Sequence, residues 1–172
     1  QLVVIGSNDG IVYAYEAKNG ALRWKFQTSG DIKSAGAYDP IRRFVVVNSM
    51  DGKCYVLSAR DGSPLYAKAA GAGIYSSPLV YQNITYMTSL DKSVYAFSLD
   101  TFKDMWTYET SGRVFSSPVI ADSSLWVGSN DGRLYEIDPI SGKLKYFFQT
   151  TERIVNKIVC NRSYIFVPTA IN

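Results

Sequence analysis

Four carboxylates recur along this chain at almost equal intervals: Asp9, Asp51, Asp91 and Asp131 stand 42, 40 and 40 residues apart. Carboxylates arrayed this way could ligate a metal where loops converge, or each could cap the turn that it opens. Gly10, Gly52 and Gly132 follow three of them. Asp-Gly supplies the positive φ angles of tight hairpin turns, so each Asp is expected to cap its own turn. Lys92 follows Asp91 instead, which predicts a strained or looser turn there. Little other reactive chemistry is on offer. The chain has no His, which removes the commonest general base. It holds no Gly-rich phosphate loop, no Gly-x-Ser-x-Gly elbow and no paired zinc-ligand spacing. Cys54 and Cys160, 106 residues apart, are expected to be free, half-buried thiols.

The elements that must position these residues follow from the same period. Gly128-Ser129-Asn130-Asp131-Gly132-Arg133-Leu134-Tyr135 matches Gly6-Ser7-Asn8-Asp9-Gly10-Ile11-Val12-Tyr13, with further copies around Asp51 and Asp91. A period near 40 residues marks stacked or radially arranged supersecondary units. With 13 Tyr, 8 Phe and 47% hydrophobic residues, short β-branched and aromatic runs alternate with Asp-Gly, Asn-Gly and Ser-Gly punctuation, and no helical apolar period is sustained. The chain reads as all-β. In one full repeat the predicted strands are Val114 to Ala121, Ser124 to Ser129, Arg133 to Asp138 and Lys143 to Gln149. Connections of three to four residues force an antiparallel meander. A single four-stranded sheet cannot bury both faces, so consecutive copies must pack face to face. Radial packing of such sheets is a β-propeller. The blades are expected at 1–27, 32–69, 74–109 and 114–149, with a partial one at 154–172, in a single domain spanning 1–172.

Charge and hydropathy exclude two partner classes. The formal charge of +3 arises from 18 basic and 15 acidic residues dispersed along the chain, without the clustering of a nucleic-acid surface. No apolar run reaches the roughly 18 residues of a bilayer span.

Ala14-Tyr15-Glu16-Ala17-Lys18-Asn19-Gly20-Ala21-Leu22-Arg23-Trp24 resembles the tryptophan-docking motif of the pyrroloquinoline-quinone-like (PQQ-like) propellers, and Trp106 ends a second copy. Tyr66 and Tyr146 occupy the Trp position in the other two repeats, while Phe102 replaces the motif's Gly in the third. Tyr75-Ser76-Ser77-Pro78 and Phe115-Ser116-Ser117-Pro118 look like the family's entry to the innermost strand. The resemblance implies that the Trp and Tyr rings pack between blades, and that Gly20, Gly62 and Gly142 turn the chain to bring them inward. Catalytic members stack the quinone on an axial Trp, many with a disulfide between adjacent cysteines, and hold calcium with Glu, Asn and Asp. This chain has no adjacent Cys pair, and Asp31, Asp100, Asp104, Asp131 and Glu152 could ligate calcium only if loops from different blades converged. The expectation is a module with no catalytic residues, no metal and no cofactor. A fragment of a quinoprotein dehydrogenase, dependent on quinone and calcium, is the alternative. Family analogy places such a module outside the cytoplasm, whereas free cysteines equally allow the cytoplasm.

Binding is the function this leaves. In a meander blade the loop between the second and third strands and the loop into the next blade emerge on one face. Alignment of the copies puts Asp31, Gly73, Arg113 and Arg153 at one loop position, with Lys33, Tyr75, Phe115 and Val155 two residues further on, at the mouth of the axial channel. Alike in framework and unlike at these positions, the repeats suit a platform for a protein segment or small ligand, with Lys33, Tyr75, Arg113, Phe115 and Arg153 as the expected binding residues. The repeats begin and end on a second strand, which predicts an incomplete ring. Completion would come from flanking blades of a longer polypeptide, or from self-association of two copies head to tail.

Overall fold

A computed structural model describes residues 1–161 and 163–170. Its first sheet is β1 (Leu2–Gly6), β2 (Ile11–Glu16) and β3 (Leu22–Gln27). Three four-stranded sheets follow: β4 (Ala37–Asp39), β5 (Phe44–Asn48), β6 (Lys53–Ser58) and β7 (Pro64–Ala69); β8 (Leu79–Tyr81), β9 (Ile84–Thr88), β10 (Ser93–Ser98) and β11 (Asp104–Glu109); and β12 (Val119–Ala121), β13 (Ser124–Gly128), β14 (Arg133–Ile137) and β15 (Leu144–Gln149). The strands β16 (Val159–Cys160) and β17 (Ile165–Phe166) form a last pair. Every sheet is an antiparallel meander in sequence order, and among the described residues no strand joins the first sheet to the last, so the ring is open.

The innermost strands are shorter than their apolar pattern predicts. Val114 to Pro118 lies outside the ladder and only Val119–Ala121 pairs, in register with Trp126, Leu125 and Ser124. Pro78 and Pro118 bring no N–H to a ladder. The preceding serines spend theirs elsewhere, as where Ser77 N–H donates to Ser117 Oγ at 2.9 Å.

The core lies between sheets. Val12, Ala14 and Trp24 pack with Val45, Val47, Tyr55 and Leu57 of the second blade. Val46, Cys54 and Val56 pack with Met87, Phe97 and Leu99 of the third. Tyr86, Val94 and Ala96 pack with Leu125, Val127, Tyr135 and Ile137 of the fourth. Covered on both faces, β9 and β13 are buried at all five residues, so they read as unbroken rather than alternating runs. β15 is exposed throughout, because no complete blade follows it in the described chain.

Trp24 is 7% exposed and its indole N–H donates to the Ala59 carbonyl at 3.1 Å, while Trp106 donates likewise to Pro139 at 3.0 Å. The glycines have a role beyond the expected turn. Gly62 turns its own hairpin at φ 74° and is also the floor on which the preceding blade's ring rests, since a Cβ there would lie 2.6 Å from Trp24 Cε3.

The Asp91-Lys92 turn is strained and not looser. Lys92 keeps the hydrogen bond of the other copies, its N–H donating to Ser89 C=O at 3.2 Å, by adopting φ 75°. A side chain in the left-handed region costs roughly 1–2 kcal/mol. Lys92→Gly should therefore raise stability by about 1 kcal/mol, once glycine's greater freedom in the unfolded chain is subtracted, and a urea titration would read it. Thr85 gives a second local test. Its hydroxyl is fully buried without a hydrogen-bond partner, where the aligned copies carry Val45 and Leu125. Thr85→Val should stabilise by about 1 kcal/mol, the penalty of an unsatisfied buried hydroxyl, in the same titration.

Candidate binding face at the axial loops

Each repeated Asp does more than cap its turn. Asp51 Oδ1 accepts the Lys53 N–H at 3.0 Å, which is the turn cap, while Oδ2 accepts the Tyr55 hydroxyl at 2.7 Å and the Ser29 N–H of the preceding blade at 3.0 Å. Asp91 binds Ser93 N–H, Tyr95 and Gly71 N–H in the same way. Asp131 binds Arg133 N–H, Tyr135 and Ser111 N–H. The tyrosine four residues after each Asp was visible in the sequence as a repeat, but that it joins the Asp to tie two blades together was not. Burial, reinforced by the hydrogen bond to Asp51, pushes the Tyr55 phenol well above its ordinary value of 10.0, and Tyr95 shifts the same way. A raised folded-state pKa gives stability that is complete below pH 10.0 and lost as pH climbs through the folded value. The urea midpoint should accordingly fall on the alkaline side of that pH, and less steeply in Tyr55→Phe.

The loops that enter each blade are pinned from both sides. The N–H groups of Ile32, Ile74, Val114 and Ile154 donate to Ser7, Ser49, Ser89 and Ser129 C=O of the blade before, at 3.1 to 3.2 Å. The carbonyls just ahead of them, on Asp31, Gly73, Arg113 and Arg153, accept from Met50, Leu90, Asn130 and Ala170 of the blade after, at 2.8 to 3.1 Å. The Thr28, Thr110 and Thr150 hydroxyls each lie within hydrogen-bond reach of two more carbonyls of these loops, donating to one at a time. Further along, the Ser34 hydroxyl donates to Ser76 C=O at 2.8 Å and Ser77 N–H to Ser117, linking one innermost entry to the next. The two backbone bonds of each entry loop thus recur in all four copies, while the side chains differ, the threonine included, since Ala70 takes its place in the second blade.

The expected binding residues stand on this frame. Lys33 is exposed and paired with Asp31 at 2.7 Å. Tyr75, 44% exposed, meets the half-buried Phe115 edge to face with ring centroids 5.9 Å apart. Arg113 is exposed and makes no side-chain hydrogen bond or ion pair with the described residues. Arg153 is exposed and engaged in a contact of its own. The structure therefore brings Tyr75 and Phe115 together and couples Lys33 to Asp31. The carboxylates considered for calcium have other partners: Asp31 holds Lys33, Asp100 holds Arg42, Asp104 holds Lys68 at 2.5 Å, and Asp131 serves its turn. Among the described residues no three His, Cys, Asp or Glu cluster as a metal site.

Radial meander blades with inter-blade Trp seats, Asp-Gly turns and pinned entry loops define a β-propeller of PQQ-like repeats. The family model for outer membrane protein assembly factor BamB matches residues 8–158, and the chain belongs to that family. BamB from Moraxella catarrhalis superposes with a TM-score of 0.83 at 18% identity, over 98% of this chain and 54% of that one. The computationally designed Ika8 protein superposes at 0.85 and 16% identity, over 98% and 52%. By sequence, a Danio rerio protein named beta-alanine-activating enzyme is 36% identical over 85 residues, 46% of this chain and 7% of that protein. The chain thus spans about half the length of these solved propellers and a small part of the curated relative.

Proposed function

We propose that this propeller segment is a non-catalytic binding or scaffolding module, acting within a larger protein and holding a protein segment or ligand on its axial loop face. The observation that carries the reading is the contrast at residues 31–33, 73–75, 113–115 and 153–155: a backbone held the same way in each blade beneath side chains that change from blade to blade. A rigid frame lowers the ordering cost of recognition, and variable side chains supply its specificity. Membership in a family described as an assembly factor supports protein partners. The exposed β15 also suits completion by further blades, flanking or from a second copy.

The test is a pull-down with the intact protein against a Tyr75→Ala, Arg113→Ala, Phe115→Ala triple variant. Partners should be lost while the melting temperature stays nearly constant. Loss of stability instead would make these residues framework. One relative is named as an enzyme, which keeps catalysis as the second reading, and the PQQ-like repeats make a quinoprotein dehydrogenase fragment the form of it to test. Adding the quinone and calcium distinguishes it by a bound-quinone absorbance and dye reduction, and neither signal is expected.

A further inference from the structure

Resting on that reading, we propose that the mouth formed by Arg113, Tyr75 and Phe115 takes an acidic, extended peptide segment, with a carboxylate on Arg113 and the apolar side chain two residues along on the Tyr75–Phe115 pair. Burial alternates along this loop: Arg113 is exposed, Val114 fully buried, Phe115 half-buried and Ser116 fully buried. Residues two apart in such an alternation share one side, so the guanidinium and the ring face outward together. Tyr75 stands likewise between the fully buried Ile74 and the buried Ser76 and reaches Phe115 at 5.9 Å. Side chains on one side of an extended peptide repeat every two residues, roughly 6.6 Å, the same interval that separates Arg113 from Phe115 along their own loop.

Charge sets the class of peptide. Asp51, Asp91 and Asp131 are each saturated by a tyrosine hydroxyl and two backbone N–H groups, and Asp31 is held by Lys33. Arg113 has no such partner, and the exposed Arg153 and Lys157 follow on the next blade. A guanidinium binds a carboxylate bidentately, and the Tyr75–Phe115 pair, with Tyr75 exposed, offers rings on which an apolar side chain of the same segment can pack.

Fluorescence anisotropy with labelled Glu-Ser-Phe-Ser, Gln-Ser-Phe-Ser and Lys-Ser-Phe-Ser repeat peptides, named below Glu-Phe, Gln-Phe and Lys-Phe for the two side chains they present on one side, and a thymidine oligonucleotide, tests this on the full chain. The Glu-Phe peptide should bind best. Arg113→Glu should weaken it by about tenfold or more, the cost of a like-charge contact, and invert the preference toward Lys-Phe. Arg113→Gln should equalise Glu-Phe and Gln-Phe without moving the melting temperature. Equal affinity of the unmodified protein for Glu-Phe and Gln-Phe overturns the acidic specificity while leaving the platform intact. Preference for the oligonucleotide overturns the peptide assignment. Binding of every probe unchanged in Arg113→Gln and in Tyr75→Ala, Phe115→Ala removes both this inference and the loop-face reading.

Discussion

Gly62→Ala should cost about 3 kcal/mol, whereas Gly20→Ala, at the equivalent turn of the first blade, should cost about 1 kcal/mol, a cost set by the positive φ alone. Both glycines hold positive φ, 74° and 70°. They differ in what a methyl group would meet: nothing within 4 Å at Gly20, but Trp24 Cε3 at 2.6 Å and Cδ2 at 2.8 Å at Gly62. The ring cannot retreat cheaply, because it is buried and its N–H is held by Ala59 C=O. Overpacking of this kind adds roughly 1–3 kcal/mol. Urea midpoints with unchanged slopes would report the difference. Placing Gly62→Ala in a Trp24→Ala background should return its cost to that of Gly20→Ala, the non-additivity of touching residues. Equal costs at 20 and 62 in the parent would mean that the ring is not seated on the glycine. Gly142→Ala should repeat the larger loss, since its Cβ would fall 2.5 Å from Trp106 Cδ2.

Asp51→Ala should be as damaging by another route. It strips one carboxylate from three donors: the Lys53 N–H, the Tyr55 hydroxyl and the Ser29 N–H of the neighbouring blade. Hydrogen bonds to a charged acceptor are worth about 1.5–3 kcal/mol each where buried, and the Tyr55 hydroxyl is the least able to turn to water. A loss of about 3 kcal/mol is expected, allowing for water reaching the two amides. Asp9 is the internal control. It caps Ile11 N–H and binds Tyr13, and among the described residues it holds no N–H of another blade, so in this chain Asp9→Ala should lose distinctly less. Hydrogen exchange would localise the difference: Asp51→Ala should deprotect the Ser29 amide, and Asp9→Ala should leave it protected.

Much of this architecture was legible in the primary structure because propeller blades are built from local contacts. Asp-Gly and Asn-Gly turns, strand lengths and the 40-residue period are all written in neighbouring residues, and they force the meander and its stacking. The innermost strands were overread, since an apolar run does not reveal that Pro78 and Pro118 and the serines beside them withdraw it from the ladder. The third blade shows the limit most clearly. Tyr66 in place of Trp and Phe102 in place of Gly looked like separate departures from the motif, on blades whose motifs do not touch in sequence. In the folded chain they are one exchange: the Tyr66 and Phe102 rings stack 5.0 Å apart at 11°, with Phe102 accepting φ 55° to do so.

The candidate face divides along the same line. Sequence alignment alone placed Lys33, Tyr75, Arg113, Phe115 and Arg153 at corresponding loop positions, because repeats of equal length put equal offsets at equal places. Which of them meet was decided only by the tertiary structure. Blade-to-blade bonds from Ser34 to Ser76 and from Ser77 to Ser117 hold one entry loop against the next. Those contacts set Tyr75 on Phe115 across a separation of 40 residues that no local pattern encodes, while Lys33 pairs with Asp31 only two residues away and Arg113 stays exposed.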